Sequence, residues 1–158
     1  MSASRSLQID LPGPDDTAAA AHRLAPHLRA GDCVLLTGTL GAGKTHFARA
    51  LIQKRLSDQG LWEDVPSPTY TLVQIYDDTL CEIWHADLYR LTGPDEIIEL
   101  GLEDAFDTAI TLIEWPDRLG DSAPSNALCI TLDMNSDSRR LIAKWDDPRL
   151  AMLAPKND

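Results

Sequence analysis

The eight residues Gly38-Thr39-Leu40-Gly41-Ala42-Gly43-Lys44-Thr45 match G-x-x-x-x-G-K-[ST] at every fixed position. Glycines at those places let a backbone wrap closely round an anion, so that N–H groups and a helix N-terminus converge on it. Lys44 can reach the outer phosphates of a nucleotide, and the Thr45 hydroxyl suits magnesium. A plain Gly-rich turn would leave the Lys-Thr pair without a purpose.

Three more positions carry chemistry. Glu114 directly follows the apolar run Ile110-Thr111-Leu112-Ile113. Its carboxylate therefore belongs at the carboxyl edge of a buried strand, where open α/β sheets gather ligands, and it is the candidate magnesium partner of Thr45. Asp87 lies in His85-Ala86-Asp87-Leu88-Tyr89-Arg90. The two-residue strand period puts His85, Asp87 and Tyr89 on one face, which either meets solvent or lines a cleft. Ser67-Pro68-Thr69 is a stiff loop in which Thr69 either senses the γ-phosphate or metal, or merely connects. Asp77 and Asp78 read as turn residues.

The elements that must position these groups follow from apolar spacing. Leu7 to Leu11 alternates like an edge strand, and Asp15 or Asp16 can cap a helix running towards Leu28. Cys33 to Thr37 is a short continuous apolar run, as in a strand buried on both faces. Thr45 to Ser57 has helical spacing. Tyr70 to Tyr76 and Cys81 to Leu91 read as a hairpin. A helix over Asp95 to Phe106 should break or bend at Gly101. Ala109 to Ile113, Leu128 to Asp133 and Leu141 to Trp145 complete the strands, the last two as an antiparallel pair. The expected fold is a three-layer α/β sandwich of the P-loop kind, mostly parallel at its centre, with antiparallel hairpin additions.

At 158 residues the chain has room for one domain with a core, expected over 1–158, with a ragged tail after about Asp147. No run approaches the roughly 18–20 apolar residues of a bilayer span, and Met1 to Asp10 lacks a signal pattern. A cytoplasmic, membrane-free protein is expected. Cys33, Cys81 and Cys129 fit neither a disulfide framework nor a zinc site and read as buried reduced thiols. The net charge is −11, and Gln74 to Asp107 carries ten carboxylates against one Arg. Such a surface repels a polyanion, so tight direct binding of tRNA is not expected. It reads as a solvated acidic face or a dock for a basic partner.

Taken in order, the glycine loop, Ser67-Pro68-Thr69-Tyr70-Thr71-Leu72-Val73, His85-Ala86-Asp87-Leu88-Tyr89-Arg90-Leu91 and Ile113-Glu114-Trp115-Pro116 closely resemble the bacterial TsaE (YjeE) ATPases. The resemblance spans about Asp16 to Pro116. It implies an ATP- and Mg²⁺-dependent hydrolase required, with TsaB and TsaD, for N6-threonylcarbamoyladenosine at position 37 of tRNAs reading A-starting codons. It further implies magnesium on Thr45 and Glu114, and hydrolytic roles for Asp87, Lys44 and Glu114. Gly38, Leu40, Gly41, Ala42, Gly43, Lys44, Thr45, His46, Thr69 and Trp115 are then the nucleotide contacts. One departure is Thr39, where the family commonly has Asp; another is His46, more often Thr in relatives. Arg139 or Arg140 corresponds to a basic position of the family.

Two other readings use the same loop. A small-molecule kinase usually needs an arginine-bearing lid, and after Glu114 the basic residues Arg118, Arg139, Arg140, Lys144 and Arg149 form no obvious lid. An ATP-dependent binding module predicts no turnover at all. Guanine selection through [NT]-K-x-D fails at Ala143-Lys144-Trp145-Asp146, because Ala143 lacks the polar group that contacts the base.

Overall fold

The central strands Cys33–Thr37 and Ile110–Glu114 are buried on both faces, and their side chains point alternately into two helical layers, which makes three layers in all. The computed structural model describes residues 5–39, 43–135 and 138–155. Its seven strands are β1 (Arg5–Leu11), β2 (Cys33–Thr37), β3 (Val73–Asp77), β4 (Glu82–Asp87), β5 (Ile110–Glu114), β6 (Leu128–Asn135) and β7 (Ser138–Trp145). They form one sheet in the order β1-β7-β6-β2-β5-β4-β3. The pairs β6-β2, β2-β5 and β5-β4 are parallel; β1-β7, β7-β6 and β4-β3 are antiparallel. The expected sandwich, parallel at its centre with antiparallel additions, is the observed one.

Val34 and Leu36 face the layer made by α1 (Pro14–Leu24) and α2 (Lys44–Asp58). Cys33 and Leu35 face the opposite layer of α3 (Pro94–Leu100) and α4 (Leu102–Thr108). Gly101 separates α3 from α4 at φ 79°, a left-handed conformation that only glycine adopts at little cost, so the expected break is real. The first helix starts earlier than the aspartates suggested: Gly13 is its N-cap and Pro14 its first residue, while Asp16 reaches back to accept the Gly13 N–H.

Some expectations fail for identifiable reasons. The hairpin strands are shorter than their apolar runs, because Leu72 takes φ 70° and Leu88 N–H turns away to the Glu114 carbonyl. The tail after Asp147 is not ragged as far as Pro155. Asp147 caps a 3-10 helix over Pro148–Leu153, and Leu150 and Leu153 are buried in the α1–α2 core. Of the cysteines, Cys33 is buried but Cys81 is half-buried and Cys129 exposed, since Cys129 falls on the outward beat of β6. Burial pushes the Cys33 thiol up to about 12. Among the described residues, no helix is long and apolar enough to cross a membrane.

Candidate active site

The functional residues gather where the parallel strands end. Leu36 of β2 pairs with Glu114 of β5, and Glu114 in turn pairs with Asp87 of β4. The two carboxylates therefore lie side by side at the carboxyl edge, beside the loop that leaves β2 for α2. Gly43 caps α2 at φ 105°, and its carbonyl accepts the Phe47 N–H. A Cβ there would be strained by φ and would meet Arg139, Thr17 and Leu132 at 3.6–4.0 Å. Leu40, Gly41 and Ala42 lie outside the described residues.

Glu114 is 2% exposed. The Thr45 hydroxyl lies 2.8 Å from its Oε1 and 3.0 Å from its Oε2, and His85 Nε2 lies 2.7 Å from Oε2. The carboxylate is thus held from α2 and from β4 at once. Asp87 is also buried: Oδ1 accepts the Tyr89 N–H at 3.0 Å, and Oδ2 lies 3.3 Å from the Thr69 hydroxyl. Thr69 Oγ1 is also 2.7 Å from Ser67 Oγ. The Ser67-Pro68-Thr69 loop therefore touches the site as well as connecting two elements.

Lys44 donates to the Gly38 carbonyl at 2.6 Å and to the Thr39 carbonyl at 3.0 Å. Its ammonium also lies 4.2 Å from the Trp115 ring centroid, a cation–π distance. Burial pulls the Lys44 amine below its ordinary value, against the raising effect of Glu114 and Asp87. Trp115 stacks at 4.8 Å on Tyr89 and holds φ 59°. A left-handed conformation costs a non-glycine residue about 1–3 kcal/mol. The two such residues among those described are Trp115, which lines the cleft, and Leu72, whose carbonyl accepts the Asp87 N–H.

Gly43, Lys44, Thr45, His46, Thr69, Asp87, Glu114, Trp115 and Arg139 line one cleft of about 300 Å³. Every described residue expected at the site is in that lining except Gly38, which reaches the site through its carbonyl. His46 lines the cleft but also donates from Nε2 to the Pro14 carbonyl at 3.0 Å, tying α2 to the start of α1.

Sequence reasoning named two further participants without placing them at the site. Arg139, at the start of β7 opposite the end of β6, lies against Gly43 and lines the cleft. The choice between the two basic positions falls on Arg139, since Arg140 pairs in register with Asp10 and does not line the cleft. His85 was placed on the Asp87 face; its contact with Glu114 needed the β4–β5 pairing. The Lys144-Trp145-Asp146 segment sits at the opposite end of the sheet, where Lys144 pairs with Cys129 and Cys129 with Leu35. It is remote from Thr45.

Comparison with known proteins follows the same residues. The family model described as "Threonylcarbamoyl adenosine biosynthesis protein TsaE" matches residues 11–142. The chain belongs to the TsaE family. A tRNA threonylcarbamoyladenosine biosynthesis protein TsaE from Rickettsia bellii is 37% identical over 134 residues, covering 85% of this chain and 91% of the relative. The TsaE of Haemophilus influenzae is 39% identical over 116 residues, covering 73% and 71%. The crystal structure of Bacillus subtilis YdiB superimposes with a TM-score of 0.72 at 26% identity, over 96% of this chain and 93% of that one. The TsaE family match ends within β7, so it includes the cleft and Arg139 but not the 3-10 helix at Pro148–Leu153.

Proposed function

We propose that this chain binds MgATP in the Lys44–Glu114 cleft and hydrolyses it as the ATPase subunit for N6-threonylcarbamoyladenosine formation at position 37 of tRNA. In this reading it works in the cytoplasm with TsaB and TsaD, and does not itself hold tRNA tightly. The observation that carries the reading is the Thr45–Glu114 contact beside Lys44.

The donor set fits the groups it would hold. Magnesium takes hard oxygens and is usually held by one or two protein groups, with phosphates and water completing its shell. Thr45 and Glu114 supply such oxygens. Held by Thr45 and Glu114, magnesium would supply charge neutralisation for a phosphoryl group in the cleft. Lys44 is seated at the loop carbonyls, ready to exchange them for phosphate oxygens. Asp87, buried and oriented by Tyr89 and Thr69, is the group to position or deprotonate a water at the cleft. Arg139 adds a guanidinium beside Gly43, where it would meet phosphate charge from within the chain.

The test is ATP turnover by the chain alone, with TsaD, and with TsaB and TsaD together, scored alongside tRNA modification. Stimulated turnover with restored modification supports the proposal. Modification that proceeds equally without the chain sinks it. A binding module would restore modification with no turnover. A kinase would turn over ATP only with a metabolite present.

A further inference from the structure

We propose that the open edge of β3 is a docking site for an extended partner-protein segment in which apolar and basic residues alternate, added to the sheet as a further strand. This surface is separate from the nucleotide cleft, and the proposal does not depend on ATP chemistry.

The sheet ends at β3. Two backbone bonds fix which of its groups point outward. Asp87 N–H donates to the Leu72 carbonyl at 2.8 Å, and Asp78 N–H donates to the Cys81 carbonyl at 3.1 Å. With the register Val73↔Ala86 to Asp77↔Glu82, antiparallel alternation makes Gln74 and Tyr76 the residues bonded to β4. The N–H and C=O groups of Val73, Ile75 and Asp77 therefore face away from the sheet. No described residue hydrogen-bonds to them. At the other edge, by contrast, the 3-10 helix over Pro148–Leu153 packs beside β1.

Natural edges are blunted by short length, charged residues, proline, bulges or a cover. β3 is short and ends on Asp77, but Val73, Gln74, Ile75 and Tyr76 carry no charge and no proline. It borders a groove of about 650 Å³ whose far wall is the segment after α2, with Trp62, Glu63, Asp64 and Pro66. Trp62 is 76% exposed and Ile75 46%, so a large apolar surface flanks the unpaired backbone. Strand addition uses both features: backbone bonds supply affinity, and alternate side chains supply selectivity.

The charges choose the occupant. Glu63 and Asp64 line the groove, and Asp77 and Glu82 are paired at the end of the strand. Arg49 lies behind the groove wall, its Nε donating to the Val65 carbonyl. A basic strand meets complementary charge here. A second copy of this chain, edge to edge, would bring two acidic grooves together, which is unfavourable. The same strand also continues back through Leu72 into the Ser67-Pro68-Thr69 loop, so an added segment would lie beside the chain that carries Thr69.

The test measures fluorescence anisotropy of a labelled peptide of alternating Lys and Val, titrated with the full chain at about 0.15 M salt. Controls are a peptide with the same residues in blocks and one with Glu in place of Lys. The alternating basic peptide should bind at least about tenfold more tightly than either control, and the binding should weaken with salt. Ile75→Pro deletes a donor that faces outward and spares the β4 ladder, so it should abolish binding while circular dichroism remains unchanged. Glu63→Lys combined with Asp64→Lys tests the charge with the backbone intact. Equal binding of the three peptides would overturn the proposal, as would binding that survives both variants. Self-association of the chain that Ile75→Pro removes would assign the edge to a second copy and also overturn it.

Discussion

Thr45 and Glu114 stand 69 residues apart in sequence, yet the Thr45 hydroxyl lies 2.8 and 3.0 Å from the two oxygens of the Glu114 carboxylate. A hydroxyl has one proton to give, so it shares it between two acceptors, and the three oxygens together present a compact hard-donor face. Glu114→Gln keeps the shape and loses the charge. The expected result is a magnesium requirement raised about 10–100-fold, with the fold retained. A magnesium titration of ATP turnover measures it; an unchanged requirement would remove Glu114 from the metal site.

His85 holds Glu114 from the opposite side. Both are buried, and the His85 Nδ1 has no partner among the described residues. Removing the imidazole leaves the carboxylate with Thr45 alone on its buried side. His85→Ala should destabilise the fold by about 1–3 kcal/mol, as expected when a buried acceptor loses a hydrogen-bond partner. His85→Gln, whose amide can donate to Glu114, should recover part of that loss. Urea unfolding of the two variants separates these outcomes. If both cost the same, His85 supports the core by volume alone.

Lys44 shares its ammonium between two carbonyls and the face of Trp115. An arriving phosphate competes for that charge and changes what the indole senses. Nucleotide should therefore alter the tryptophan fluorescence, and Trp115→Phe should remove the change although Trp62, Trp84 and Trp145 remain. A change that persists in Trp115→Phe would mean the reporter lies elsewhere.

Arg55 and Asp78 form a buried pair at 2.7 Å, linking α2 to the hairpin turn, while Arg55 also donates to the Ala25 and Leu28 carbonyls. Burial pushes the Asp78 carboxyl up, but the backbone N–H groups of Cys81 and Leu80 and the Arg55 guanidinium outweigh it, so its folded value lies below 3.8. A depressed carboxyl stabilises the fold fully above its unfolded value and loses that contribution as pH falls through the folded one. Asp78→Ala should cost about 3–5 kcal/mol near neutral pH. The difference from wild type should shrink once the medium is more acidic than pH 3.8. Denaturant melts at neutral and acid pH check both; a difference independent of pH would contradict the ion-pair account.

Local signals made much of this protein legible. The Lys44-Thr45 pair that ends the glycine loop marked residues that do line the cleft, and Glu114 betrays its place by following Ile110-Thr111-Leu112-Ile113. Gly101 announced the break between α3 and α4. Long-range relations were not readable. Asp78 looks like a turn residue, and it does accept turn N–H groups from Leu80 and Cys81, yet its partner Arg55 lies on another element. Arg139 reaches the cleft because the β6–β7 pair, itself expected, lies beside β2, and no spacing in the chain encodes that neighbour. Leu150 and Leu153 were too few to mark the last turn as packed. The exposed edge of β3 was equally hidden, because strand order is a property of the whole sheet.

Calorimetric titration of ATP into the purified chain, with and without magnesium, tests the central claim most directly. The account predicts saturable binding at one site per chain, tighter with magnesium and lost in Lys44→Ala while the variant remains folded. Binding of the same strength in Lys44→Ala, or none at millimolar nucleotide, would contradict it.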